Sequence, residues 1–216
     1  MRPETTLFYD VDTQRDFLLP GGKLYVAGAE RIIPALAALT LMARRLGIKI
    51  VASTDRHFAS DPELERNGGA YPDHCMDGTA GQRKIDATAP LDPVFVPPRQ
   101  LASAELAAVL AHPGEIIIEK PLFDAFAGNR NTRTILCQLL RVRRDVVIYG
   151  VYTEVCVNDA VRGLLPIGCR PHVVTDAIAD IGADGTRFRE RWAAEGVELL
   201  TLRELSARFA AETANA

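Results

Sequence analysis

Cysteine is scarce in this chain and never closely paired. Cys75, Cys137, Cys156 and Cys169 include no C-x-x-C, which argues against a zinc ribbon or a thioredoxin-like redox motif. No G-x-G-x-x-G follows the first apolar run, so a dinucleotide-binding domain is disfavoured. No apolar stretch reaches the roughly 18 residues that a membrane-spanning helix needs. The amino terminus, Met1-Arg2-Pro3-Glu4-Thr5-Thr6, lacks the long apolar region and small-residue cleavage site of a signal peptide, so a cytoplasmic protein is expected. Neither sign of charge is in large excess. A formal net charge of -3 gives no electrostatic reason to expect nucleic acid or an anionic membrane, which leaves small molecules as partners. Repeats and low-complexity tracts are also missing.

What is present is an ordinary globular composition, 48% hydrophobic and 25% charged. A chain of 216 residues suits one domain spanning 1–216. Apolar runs of strand length recur at 7–11, 48–52, 116–118, 146–149, 173–175 and 197–200, with helix-like stretches between them. The runs are rich in Val and Ile and apolar throughout, as central parallel strands covered on both faces should be. The expected fold class is therefore α/β, a three-layer α/β/α sandwich around a central, mainly parallel sheet. Ile32, Ile33, Leu36, Leu39 and Met42 or Ala43 form the apolar stripe of one helix, which Gly47 should stop. Further helices are expected over 132–141, 157–165, 185–194 and 202–211. Residues 58–98, full of Gly, Pro and charge, read as a long loop too irregular for regular secondary structure.

Open α/β sheets bind ligands at the carboxyl ends of their strands, so the polar residues just past each run carry the functional question. Asp12 follows the first, Asp55 and His57 the second, Lys120 the third, and the segment 150–156 the fourth. Cys156 falls in the first turn of the next helix, where the helix dipole and unpaired amides favour a thiolate and can bind an oxyanion. The plainer alternative is a cysteine packed under the sheet. Asp55 and His57 are two residues apart and share a face if the strand continues, and His74 can close a divalent metal site with them.

Asp12-Thr13-Gln14-Arg15-Asp16-Phe17, Pro20-Gly21-Gly22, Thr54-Asp55-Arg56-His57, Pro72-Asp73-His74-Cys75 and Gly150-Val151-Tyr152-Thr153-Glu154-Val155-Cys156-Val157 occur in that order. Together with Asp176-Ala177, this series resembles the isochorismatase-like cysteine hydrolases, specifically their nicotinamidase and pyrazinamidase branch. The resemblance implies Cys156 as nucleophile, Asp12 as general acid/base and Lys120 as the cation beside them. It implies an oxyanion hole from the backbone amides of Tyr152 and Cys156, and a cis peptide at Val151-Tyr152. It also implies a divalent ion (zinc, iron or manganese) on Asp55, His57 and His74, and a homodimer or larger homo-oligomer.

The implied reaction is hydrolysis of nicotinamide to nicotinate and ammonia through an acyl-enzyme. Another small amide, a ureido compound or a vinyl ether is the alternative substrate, and a non-catalytic binding protein the further one. This chain departs from the pattern in places. Asp61 stands where another histidine is usual, with Glu63 close behind, and would favour a harder ion if it coordinates. Tyr152 replaces a small residue and Tyr71 a tryptophan. Phe17 and Tyr71 are expected to flank a flat substrate ring. The segment 84–115 is longer than compact relatives need, and its 101–112 portion is expected to add a short helix near the pocket entrance. Of the four thiols, Cys156 is expected to be the one an alkylating reagent finds first.

Overall fold

The computed structural model describes residues 1–182 and 185–214. The apolar runs become strands β1 (Thr6–Val11), β2 (Lys49–Asp55), β4 (Glu115–Lys120), β5 (Asp145–Val151), β6 (Arg170–Ala179) and β7 (Glu198–Leu200). With β3 (Pro93–Val96) they form a seven-stranded sheet in the order β3-β4-β2-β1-β5-β6-β7. All neighbouring strands run parallel. Every residue of β1, β4 and β5 is buried, because helices cover both faces of the sheet.

Among the described residues the α-helices are α1 (Arg15–Leu18), α2 (Ile33–Arg45), α3 (Ser103–Ala111), α4 (Ala125–Gly128), α5 (Thr132–Leu139), α6 (Asn158–Leu164), α7 (Gly185–Ala194) and α8 (Leu202–Ala214). On one face Leu7, Tyr9, Ile116, Val146 and Ile148 pack with Ile135 of α5, Val161 of α6 and Trp192 of α7. On the other, Phe8, Ile50, Val147 and Tyr149 meet Leu36 and Leu39 of α2 and Leu205 and Phe209 of α8. The α2 helix buries Leu36, Leu39, Thr40 and Ala43 and stops at Gly47, which takes φ 65°. Ile48 N–H reaches back to the Ala43 carbonyl and Gly47 N–H to that of Arg44, the paired bonds of a Schellman ending. Among the described residues, no helix is long and apolar enough to cross a membrane.

Two expectations are corrected. The 58–98 stretch is not wholly irregular, since it ends in β3, a four-residue edge strand paired with β4. The helix expected near the pocket entrance exists as α3, but it joins β3 to β4 and sends Val109, Leu106 and Leu110 into the core.

Candidate functional site

Four adjacent strands deliver four functional groups to one rim, in the spatial order β4, β2, β1, β5. Lys120 is the last residue of β4 and Asp55 the last of β2, and the two are register partners. Asp12 follows β1 with φ 48°, a conformation few non-glycine residues adopt. Beyond β5 the Val151–Tyr152 peptide is cis, and the turn Thr153–Val157 leads into α6 carrying Cys156. Gly150 makes this possible. A Cβ there would sit 1.9 Å from the Val11 carbonyl oxygen, and its φ is 127°.

Gln14 links two of the strand ends. Its side-chain oxygen accepts from Asp55 N–H at 2.6 Å and its amide donates to the Asp55 carbonyl at 2.8 Å. An amide side chain thus takes the place of a neighbouring strand where β1 has already ended.

Lys120 is the hub of the rim. Its ammonium lies 2.9 Å from Asp12 Oδ2, bonds Asp55 Oδ1, and stands 3.9 Å from Cys156 Sγ. Burial alone would push this lysine down. The carboxylates of Asp12 and Asp55 outweigh that and hold it well above the ordinary lysine range. Burial raises Asp12, against the pull of Lys120 and with repulsion from Asp55 added. Asp55 is also penalised by burial, but Lys120, His57 and His74 bring it below the usual carboxylate range. Two acids sharing one cation are thereby driven apart, Asp12 upward and Asp55 downward.

Cys156 is 6% exposed, and burial pushes its thiol well above the ordinary range despite Lys120. Cys137 is the exposed thiol. Cys75 is buried and Cys169 partly so.

Asp55, His57 and His74 do gather, with ligand atoms all within 4.8 Å of one another. Asp55 Oδ2 lies 3.9 Å from His57 Nε2 and 3.7 Å from His74 Nε2. Ligands on one ion at bonds of about 2.1 Å sit roughly 3.4 Å apart in a tetrahedral shell, so small adjustments close the set. All three atoms are buried without a hydrogen-bond partner, as is Glu63 Oε2, 3.8 Å from His57 Nε2. Each histidine has its other nitrogen engaged, His57 Nδ1 by Asp61 Oδ2 at 3.3 Å and His74 Nδ1 by the Pro72 carbonyl at 2.8 Å. That fixes the rings with Nε2 turned toward the cluster, the outer arrangement that metal-binding histidines use. Asp61 therefore sits behind His57 instead of beside the cluster, and Glu63 is the acid that approaches His57 Nε2.

Beside the rim lies a cavity of about 130 Å3 lined by Phe17, Tyr71, Phe123, Tyr152, Val155, Cys156 and Ile181, among others. Phe17 and Tyr71 both line it, as expected. Phe123 is an addition, meeting Tyr71 edge-on at 4.5 Å between centroids. Among the described residues, no charged side chain belongs to its lining. Larger hollows on the molecule lie elsewhere, one of about 530 Å3 at the opposite ends of β2 and β4 around Arg44, Lys49 and Arg143.

Two participants escaped the sequence. Glu63 is brought inward by the bridge between Leu64 and Tyr71, with its other oxygen held by Phe123 N–H at 2.9 Å. Its only signal was a second acid close after Asp61. Phe123 lies just past Lys120, where the offset from the β4 end was the sole clue.

Residues 7–204 match the family described as the isochorismatase domain. The nicotinamidase of Escherichia coli (strain K12) is 26% identical, the match covering 89% of this chain and 92% of that protein. The pyrazinamidase of Pyrococcus horikoshii, solved in complex with zinc, superposes with a TM-score of 0.72 at 25% identity, over 91% of this chain and 99% of that one. PnC1 from L. infantum, solved in complex with nicotinate, has the same fold, with a TM-score of 0.72 at 22% identity over 93% and 94% of the two chains.

Proposed function

Since the chain belongs to the isochorismatase family, we propose that it is a cysteine-dependent hydrolase of a small neutral amide, with nicotinamide as the favoured substrate. The observation that carries this reading is the buried contact of one ammonium with Asp12, Asp55 and Cys156 at the edge of an apolar cavity.

The resting thiol is neutral, because burial raises it, so its proton must leave as the sulfur attacks. Asp12 accepts that proton while Sγ bonds to the carboxamide carbon. The negative oxygen that forms is received by the backbone amides of Tyr152 and Cys156. Asp12 then returns the proton to nitrogen, the carbon–nitrogen bond breaks, and ammonia leaves a thioester on Cys156. Water gives a proton to Asp12 and its oxygen to the acyl carbon. Collapse releases the carboxylic acid and restores the thiol. Lys120 keeps its charge throughout, balancing Asp12 whenever it is ionised.

Asp55, His57 and His74 fit a divalent ion such as zinc, iron or manganese, with Glu63 beside His57 Nε2 and Asp61 orienting His57 from behind. Bound there, the ion supplies a Lewis-acidic position suited to a ring nitrogen.

Size and polarity favour a flat neutral ring. An apolar cavity of about 150 Å3 accepts a benzene, which matches the scale of this one. A substrate bearing its own carboxylate would meet no cation among the described lining residues. The family resemblance further implies a homodimer or larger homo-oligomer, which light scattering tests.

Nicotinamide should release ammonia, benzamide should be clearly poorer because it lacks the ring nitrogen, and Cys156→Ala should abolish turnover with little loss of stability. Near-normal turnover by Cys156→Ala would refute the thioester route. Cleavage of acyclic amides alone would move the chain to a different amide on the same chemistry.

A further inference from the structure

Tyr152 is 6% exposed, and its ring and hydroxyl do separate jobs. The ring lines the cavity and stands edge-on to Phe17, with centroids 6.0 Å apart at 81°. The hydroxyl reaches past the cavity to the segment that forms the facing wall. It donates to the Phe17 carbonyl at 2.5 Å, with the Leu24 carbonyl at 3.0 Å sharing that proton, and it accepts from Val26 N–H at 3.0 Å.

Phe17, Leu24 and Val26 are themselves lining residues. Within this segment, Leu24 N–H bonds the Asp16 carbonyl, and Tyr25 and Glu30 share a bond of 2.6 Å. Those contacts shape the segment but leave its distance from the β5 side to the Tyr152 hydroxyl. Burial raises this phenol, which keeps it a neutral donor.

We propose that Tyr152 sets the size of substrate this chain accepts: its ring closes one wall of the cavity and its hydroxyl fixes the 17–26 segment as the other, admitting single-ring carboxamides and rejecting fused bicyclic ones. The proposal rests on the amide-hydrolase reading and deepens it. A smaller side chain at this position would merge the ring's volume with the cavity and free three backbone groups of the facing wall. The backbone amide assigned to the oxyanion hole survives any such change, so effects on size and on chemistry separate.

The test compares nicotinamide with quinoline-3-carboxamide on wild type, Tyr152→Ala and Tyr152→Phe. Tyr152→Ala should raise the bicyclic-to-monocyclic ratio of kcat/KM by about 10-fold or more, the scale at which apolar pockets discriminate size. An unchanged ratio overturns the proposal. Tyr152→Phe should raise the ratio less than Tyr152→Ala does, while hydrogen exchange at the Val26 amide quickens several-fold, and unaltered exchange overturns the tether. If Tyr152→Ala does not fold, Tyr152→Leu takes its place.

Calorimetric binding of both amides to Cys156→Ala, alone and combined with Tyr152→Ala, separates the two readings. If no carboxamide is hydrolysed, bicyclic binding gained only with Tyr152→Ala sustains the pocket role while the hydrolase reading falls. Equal binding of both amides to the single variant sinks the pocket role itself.

Discussion

Lys120 faces two carboxylates with one charge, and the division of that charge decides which acid can work as a base. Asp12 must be ionised to take the thiol proton. Its acid form persists to higher pH than an ordinary aspartate because burial raises it. As pH falls through that raised value the competent form disappears, so the acid limb of kcat/KM should lie above the reference of about 3.9. The apparent value belongs to the coupled set of Asp12, Asp55 and Lys120. An acid limb at or below the reference would remove Asp12 from the role. The two acids of the 61–63 loop should differ in kind. At the proposed metal site Glu63→Gln loses the acid facing His57 Nε2 and Asp61→Asn the partner of His57 Nδ1, so each should weaken metal retention, by about 10- to 100-fold for the outer partner. Chelator competition reads both, and Asp61→Asn with unchanged retention would reduce that contact to loop structure. Asp12, Asp55, His57, His74, Lys120 and Cys156 were legible because each stands at a strand end or in a spaced motif. Glu63 was not, since only the folded 64–71 bridge turns it inward. The hydroxyl contacts of Tyr152 join residues more than 120 positions apart, which no local pattern encodes.

Among the elements, β5 bears the tightest constraint, where Gly150 lets it lie against the end of β1. Gly150→Ala combines a left-handed backbone with an overlap against backbone atoms, and should cost about 2–5 kcal/mol. Urea unfolding measures it, and a change under 1 kcal/mol would mean that the two strands can separate more freely than their register suggests. The same scale shows why most of the sheet could be read in advance and β3 could not. The central strands are long, β-branched and buried on both faces, whereas β3 is a four-residue edge strand that opens on Pro93 and leaves Phe95 exposed. The α3 helix was visible from its own residues. Its position was not, because a crossover helix is placed by the strands it joins, and one of those was missing from the sequence reading.

At the scale of the whole molecule, the Asp55, His57 and His74 cluster proposed to hold a metal ties the end of β2 to the loop that carries His74. An ion bound only by the folded state at 100 times its dissociation constant adds about 2.7 kcal/mol. For a chain of this size that corresponds to a Tm lowered by roughly 5–10 °C on chelation, and restored by zinc or manganese. Calorimetry with and without chelator checks this, and an unmoved Tm would argue against a resident ion. The sheet order has another consequence. The proposed base, cation and metal ligands all lie within the first 120 residues, at strand ends or in the loop after β2, while the proposed nucleophile follows β5, which slots in beside β1. The turn at 141–144, mostly exposed, lies between those two portions. A polypeptide severed there would fall into one piece with the proton acceptor and another with the sulfur, each chemically mute alone. Ammonia release from the mixed pieces would then report that they had found each other, making the enzyme a sensor of its own reassembly.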